Sequence, residues 1–299
     1  MTNSSIEKEA LIRKINCVYH DAEHSEYDER HEEIIAGEVN WWNKIGEIYF
    51  QGKFQNKNSF SLLDIGTGTG FVLRTLMKHL NNESKVVAYD LSELMLRQAK
   101  HNLDSIGSNE HSFVCGDAEI LPFANEFFDA ITINAVLHHL PNYKRCLSQV
   151  KRILKPKGIL IIAHEPNNKF FKSSLVRLMA TVYKIIGGSV VKVSDRIQQK
   201  VNNELILSSY IEKELTKDEI IDLVEVSSIA EHKKIDPRRG FNAQTLLDES
   251  LVGYSLLEVT SESTFGYRSK IPFIKVIQHA MKYLTEGNGT LFSMIVMKP

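Results

Sequence analysis

From Phe60 to His164 short apolar runs alternate with amphipathic segments of about ten to fifteen residues, and no other feature constrains the fold as tightly. The runs read "SLLDI", "KVVAYD", "SFVCGD", "FDAITIN" and "GILIIAH". Between them, Phe71 to Leu80, Leu94 to Leu103 and Tyr143 to Leu154 carry apolar residues at helical spacing. Strands that alternate with helices lie parallel in one sheet covered on both faces, so the rhythm predicts an α/β, doubly wound sheet. Two later runs, "SLLEVT" and "TLFSMIVMK", raise the expected strand number to seven, with helices at Ala243 to Leu251 and Ile274 to Leu284. Four regions follow: an N-terminal helical lid over 1–57, a core over 58–165, a helical cap insertion over 166–240, and the rest of the core over 241–299.

Composition narrows the class. A chain of 299 residues with 43% hydrophobic content can fill a real core. Its 36 basic and 37 acidic residues leave a net charge of −1, so no overall field draws it to nucleic acid. No apolar stretch approaches the roughly 20 residues a membrane span needs, and "MTNSSIEKEA" has no apolar signal core. Cys17, Cys115 and Cys146 are odd in number and form no CxxC pair, which argues against both a disulfide framework and a zinc site. The expectation is a cytoplasmic protein with no metal.

In "LLDIGTGTG", Gly66, Gly68 and Gly70 fall where the first strand turns into its helix. Glycine there lets the backbone take positive φ and lets a ligand touch the main chain. A dinucleotide fingerprint wants glycine or alanine in the sixth place, where Phe71 stands, so a nicotinamide oxidoreductase is a remote reading. Asp64, on the strand's last turn, is placed to face a cation. Asp90 ends the second strand, where it can accept bonds from ribose hydroxyls, and Asp117 ends the third, where it can receive an exocyclic amino group.

These motifs resemble class I S-adenosylmethionine-dependent methyltransferases, in particular those acting on small molecules and on quinone or lipid precursors. "DIGTGTG", "VVAYDLSELMLRQA", "GDAEILPF", "FDAITINAVLHHL" and "VKRILKPKGILII" are similar, in order, to the family's five motifs. The resemblance implies a Rossmann-like methyltransferase fold and S-adenosyl-L-methionine as cofactor. It further implies that Gly66 and Gly68 approach the methionine part, that Asp64 organises its amino end, and that Asp90 holds the ribose. Met95 would pack near adenine, Asp117 would meet its amino group and Asn134 would line the methionine side. Thr67, Gly70, Leu91 and Ala118 would complete the pocket, and Tyr27, in the lid-like run "YHDAEHSEYDERH", would cover it. Lys157 stands where the family often has glycine.

Chemistry beyond the cofactor is less determined. His138 and His139 after the fourth strand, and His164 beside Glu165 at the end of the fifth, are candidates for a general base, since imidazole suits neutral pH. The expected acceptor is a small, partly apolar metabolite enclosed by lid and cap. The alternatives are a tRNA or protein methyltransferase that uses "HKKIDPRRG", and a non-catalytic cofactor-binding partner subunit. Lys172, Arg177, Lys184 and Lys192, interspersed along the apolar stripe Leu175 to Ile186, allow contact with a membrane interface. The sequence does not fix the oligomeric state.

Overall fold

The computed structural model describes residues 3–53, 60–104, 110–174, 178, 193–226, 240–262 and 289–299. The stripe from Leu175 to Ile186 (Leu178 apart), the "HKKIDPRRG" segment before Gly240 and the helix expected at Ile274 to Leu284 lie outside these residues.

Seven strands form one sheet: β1 Ser61–Ile65, β2 Lys85–Asp90, β3 Glu110–Cys115, β4 Phe128–Asn134, β5 Leu154–Pro166, β6 Ser255–Glu262 and β7 Leu291–Met297. Their order across it is β3-β2-β1-β4-β5-β7-β6. The first five are parallel, and β7 is antiparallel to both β5 and β6. This is the Rossmann-like methyltransferase architecture expected from the sequence. Between β1 and β4 the strand order reverses, so the loops leaving these two strands diverge and open a crevice at their carboxyl ends.

Strand alternation sorts the core onto two faces. Leu63, Ile65, Ile131, Ile133, Leu160 and Ile162 share one cluster with Leu147, Val150 and Ile153 of helix α6 (Tyr143–Ile153). Leu62, Ala88, Ala130, Ile159 and Ile161 pack on the other face against α4 (Phe71–Leu76) and α5 (Glu93–Leu103). The second face also receives Trp42 and Ile45 of α3 (Glu32–Ile45) and Phe50 of the π-helix Gly46–Lys53. Much of the expected N-terminal lid is therefore a layer of the core.

The rest of the region expected as a lid consists of α1 (Asn3–Glu23) and α2 (Tyr27–Arg30). Ile15, Val18, Tyr19 and Ala22 of α1 form a third cluster with Ile197, Val201 and Leu205 of α8 (Asp195–Leu207) and Ile220 and Val224 of α9 (Lys217–Val224). Lid and insertion thus share one small core. The segments α7 (Asn168–Lys172) and α10 (Ala243–Glu249) complete the described helices. At Lys157 the backbone is left-handed, φ +61°, which explains why glycine suits this turn.

Candidate active site

The loop after β1 is built around its glycines. Gly66, Gly68 and Gly70 all have positive φ, at 69°, 52° and 85°. A Cβ at Gly66 would fall 2.2 Å from Val136 Cγ2, and one at Gly70 would press on Ala99 of α5 at 3.3 Å. At Gly68 a Cβ would meet nothing within 4 Å, because that Cα borders open space. Asp90 holds the loop from the neighbouring strand: Gly68 N donates to Oδ2 at 2.8 Å and Ser92 N to Oδ1 at 2.8 Å. Burial raises the Asp90 carboxyl above its ordinary range, opposed by these two amides. The Ser92 hydroxyl in turn caps α5 by accepting from Met95 N, which seats Met95 beside the cavity.

The cavity encloses about 780 Å³ of empty space, open solvent at its mouth included. Gly66, Gly68, Asp90, Leu91, Met95, Asp117, Ala118 and Asn134 line its sheet side, and Arg13, Asn16, His20 and Tyr27 line its roof. The roof is tied to the end of each of the first three strands. Arg13 meets Asp117 (Nε–Oδ2, 2.8 Å) and the fully buried Glu119 carboxylate (2.7 Å), Ser92 Oγ donates to Asp21, and Thr69 Oγ1 donates to Asp28 at 2.5 Å. His20 donates to Glu23, and although burial pulls its pKa down, this carboxylate leaves it raised. Burial, reinforced by Glu23 and Glu38, raises the Tyr27 phenol well above its ordinary value.

On the far wall the turn after β4 is organised by one buried carboxylate. Glu165 Oε1 accepts from Val136 N (2.8 Å) and Leu137 N (2.7 Å), while Oε2 accepts from His138 N (3.2 Å) and the His138 ring (2.9 Å). This clamp presents Val136, His139, Leu140 and Pro141 to the cavity. His139 donates its Nδ1 hydrogen to the Val224 carbonyl at 2.8 Å; burial, with His138 and His20 nearby, holds its pKa well below the ordinary value. A carbonyl cannot donate, so Nε2 carries the lone pair and the ring is a neutral base.

Of the residues expected from the sequence, Gly66, Gly68, Asp90, Leu91, Met95, Asp117, Ala118, Asn134, Tyr27 and His139 are brought together around this cavity. Asp64, Thr67, Gly70, His138 and His164 do not line it. Asp64 pairs in register with Thr132 and accepts from the hydroxyls of Thr132 (2.6 Å) and Thr67 (2.7 Å); burial, opposed by these bonds, lifts its carboxyl to about 7. It faces the interior, 1% exposed, and does not reach the cavity. Gly70 serves helix packing, and His138 serves the Glu165 clamp. His164 is 3% exposed and its Nδ1 donates to Asn134 Oδ1 at 2.7 Å, with Glu38 3.2 Å away, so it positions Asn134.

Sequence reasoning passed over Arg13 and Asn16, although Arg13, Asn16 and His20 recur at intervals of three and four and so share one helix face. Glu165, the neighbour of the candidate His164, has a fully buried side chain.

The glycine cradle and the oriented Asp90 carboxylate fit a nucleoside cofactor, because they offer bare main chain and an acceptor where phosphate-binding loops offer a helix N-terminus. Residues 63–162 match the profile of a family described as methyltransferase domain. Over those residues the chain is similar to methyltransferase domains. Over 158 residues it is 30% identical to the ubiquinone/menaquinone biosynthesis C-methyltransferase UbiE of Bordetella parapertussis, covering 53% of this chain and 59% of that relative. The same-named enzyme of Burkholderia vietnamiensis is 29% identical over 158 residues, 63% of its length. The matched segment therefore spans less than two thirds of these relatives. A solved structure from Listeria monocytogenes, described as that of an S-adenosylmethionine dependent methyltransferase, superposes with a TM-score of 0.51 at 16% identity, covering 89% of this chain and 98% of that one. It shares the fold of this chain. Among the described residues no group of three or more His, Cys, Asp or Glu side chains is arranged to hold a metal ion, and no helix is long and apolar enough to cross a membrane.

Proposed function

We propose that this protein transfers a methyl group from S-adenosyl-L-methionine to a small, partly apolar acceptor. The observation that carries the reading is the roofed cavity, whose floor is the glycine loop with Asp90 and whose roof is α1. In this reading the 58–165 core with 241–299 holds the cofactor, and the 166–240 insertion works with α1 to enclose the acceptor. When bound, the cofactor supplies a methyl group made electrophilic by its sulfonium.

The residues of the chain do the rest. Asp90 would accept the ribose hydroxyls while its bond to Gly68 N keeps the loop fixed, Met95 would pack against the adenine and Asp117 would meet the amino group of that ring. Asn134, held by His164, lines the methionine side. The roof keeps water from the reacting centre, and orientation of this kind contributes on the order of 7–11 kcal/mol. His139 Nε2 is free to take a proton, a role worth about 10²–10⁴-fold. The relatives are named as C-methyltransferases of ubiquinone/menaquinone biosynthesis, and a partly apolar acceptor suits the wall of Val136, Leu140 and Pro141.

Methyl-deuterated cofactor incubated with the full chain and cell extract tests the reading. The label is expected in the low-molecular-weight fraction, and label confined to RNA or protein contradicts it.

A further inference from the structure

Two acceptor atoms at one end of the cavity have no described donor. Asn16, 4% exposed, turns Nδ2 to the carbonyls of Ile12 (2.9 Å) and His139 (3.4 Å), which fixes the orientation of its amide. Its Oδ1 has no hydrogen-bond partner among the described residues. His139 spends Nδ1 on Val224, which leaves the lone pair of Nε2 as the ring's remaining polar site. Both residues line the same cavity, and Asn16 Oδ1 is a buried acceptor without a donor, which is rare in folded proteins.

We propose that Asn16 and His139 form the acceptor subsite, and that the molecule methylated there brings two donor hydrogens, as a primary amine or a pair of adjacent hydroxyl groups does. The inference rests on the methyltransferase reading and adds to it the chemistry of the acceptor. One hydrogen goes to Asn16 Oδ1 and the other to His139 Nε2. As the acceptor oxygen or nitrogen bonds to the methyl carbon, the carbon–sulfur bond breaks with its electron pair left on sulfur. The acceptor's proton passes to Nε2 and from there to water. Asn16 is then a specificity residue on the roof, with no part in holding the cofactor.

The probes are catechol, guaiacol and veratrole, which share a ring but carry two, one and no donor hydroxyls. Each is titrated into the full chain saturated with S-adenosylhomocysteine. Affinity is expected to fall several-fold to tenfold at each step, the loss of one hydrogen bond per methyl cap. In Asn16→Leu the catechol–guaiacol difference disappears while S-adenosylhomocysteine binds as before, and the ligand-free melting temperature falls by the loss of the Nδ2 bonds to the Ile12 and His139 carbonyls. Equal binding of the three probes, no binding of catechol, or an Asn16→Leu variant that keeps the preference overturns the inference. Failure of S-adenosylhomocysteine itself to bind would instead bring down the functional reading beneath it.

Discussion

At the residue scale the site depends on one missing side chain and two carboxylates. Gly68→Ala places a methyl in open cavity space at φ +52°, so its stability cost is the left-handed strain alone, about 1 kcal/mol, while cofactor affinity drops by at least about tenfold. Thermal melting and calorimetric titration separate the two effects. Glu165→Gln replaces one carboxylate oxygen by N–H₂, which then opposes either the Val136 and Leu137 amides or the His138 amide; it is expected to cost about 2 kcal/mol or more and to alter the titration of His139 seen by NMR. The placement of Gly66, Gly68 and Asp90 at the cavity was legible because a strand end fixes where such residues sit. Asp64 was not, since its direction depends on pairing with Thr132 across β4, which its own strand does not reveal. The same holds for His138 and His164, whose partners Glu165 and Asn134 are 27 and 30 residues away.

At the element scale α1 is the decisive piece. One of its faces packs on α8 and α9 and another enters the cavity, so it closes the site while joining the insertion to the core. Arg13→Met removes the contact to Asp117 and leaves the buried Glu119 carboxylate with Arg145 at 3.5 Å and Asn142 N at 2.8 Å. A loss of about 1–3 kcal/mol is expected, together with faster release of S-adenosylhomocysteine in stopped-flow measurements. The helical character of α1 could be read from Ile12 and Ile15, but its partner could not. The Lys14–Glu204 pair joins residues 190 apart, and nothing in local spacing encodes such a contact.

At the scale of the whole molecule the sheet was the most legible feature, because alternation between two periodicities is written along the chain itself. The antiparallel β7, inserted between β5 and β6, follows from topology that spacing alone does not specify. Stability against pH also belongs to this scale. Asp64 is held near 7 in the fold and reverts to an ordinary carboxyl on unfolding, so between about pH 4 and 7 the native state binds the extra proton and stability falls as pH rises. His139, depressed in the fold, acts oppositely: its contribution is present above its ordinary pKa and is lost as pH falls below about 6.5. Asp64→Asn is therefore expected to flatten the decline in melting temperature from pH 4 to 7, and an unchanged slope would show that Asp64 is not its source. The central claim, that the roofed crevice between β1 and β4 binds the cofactor's nucleoside, is tested most directly by calorimetric titration of the full chain and of Asp90→Asn with S-adenosylhomocysteine. One site per chain is predicted, weakened at least about tenfold in the variant; no heat, or equal affinity in both proteins, would contradict it.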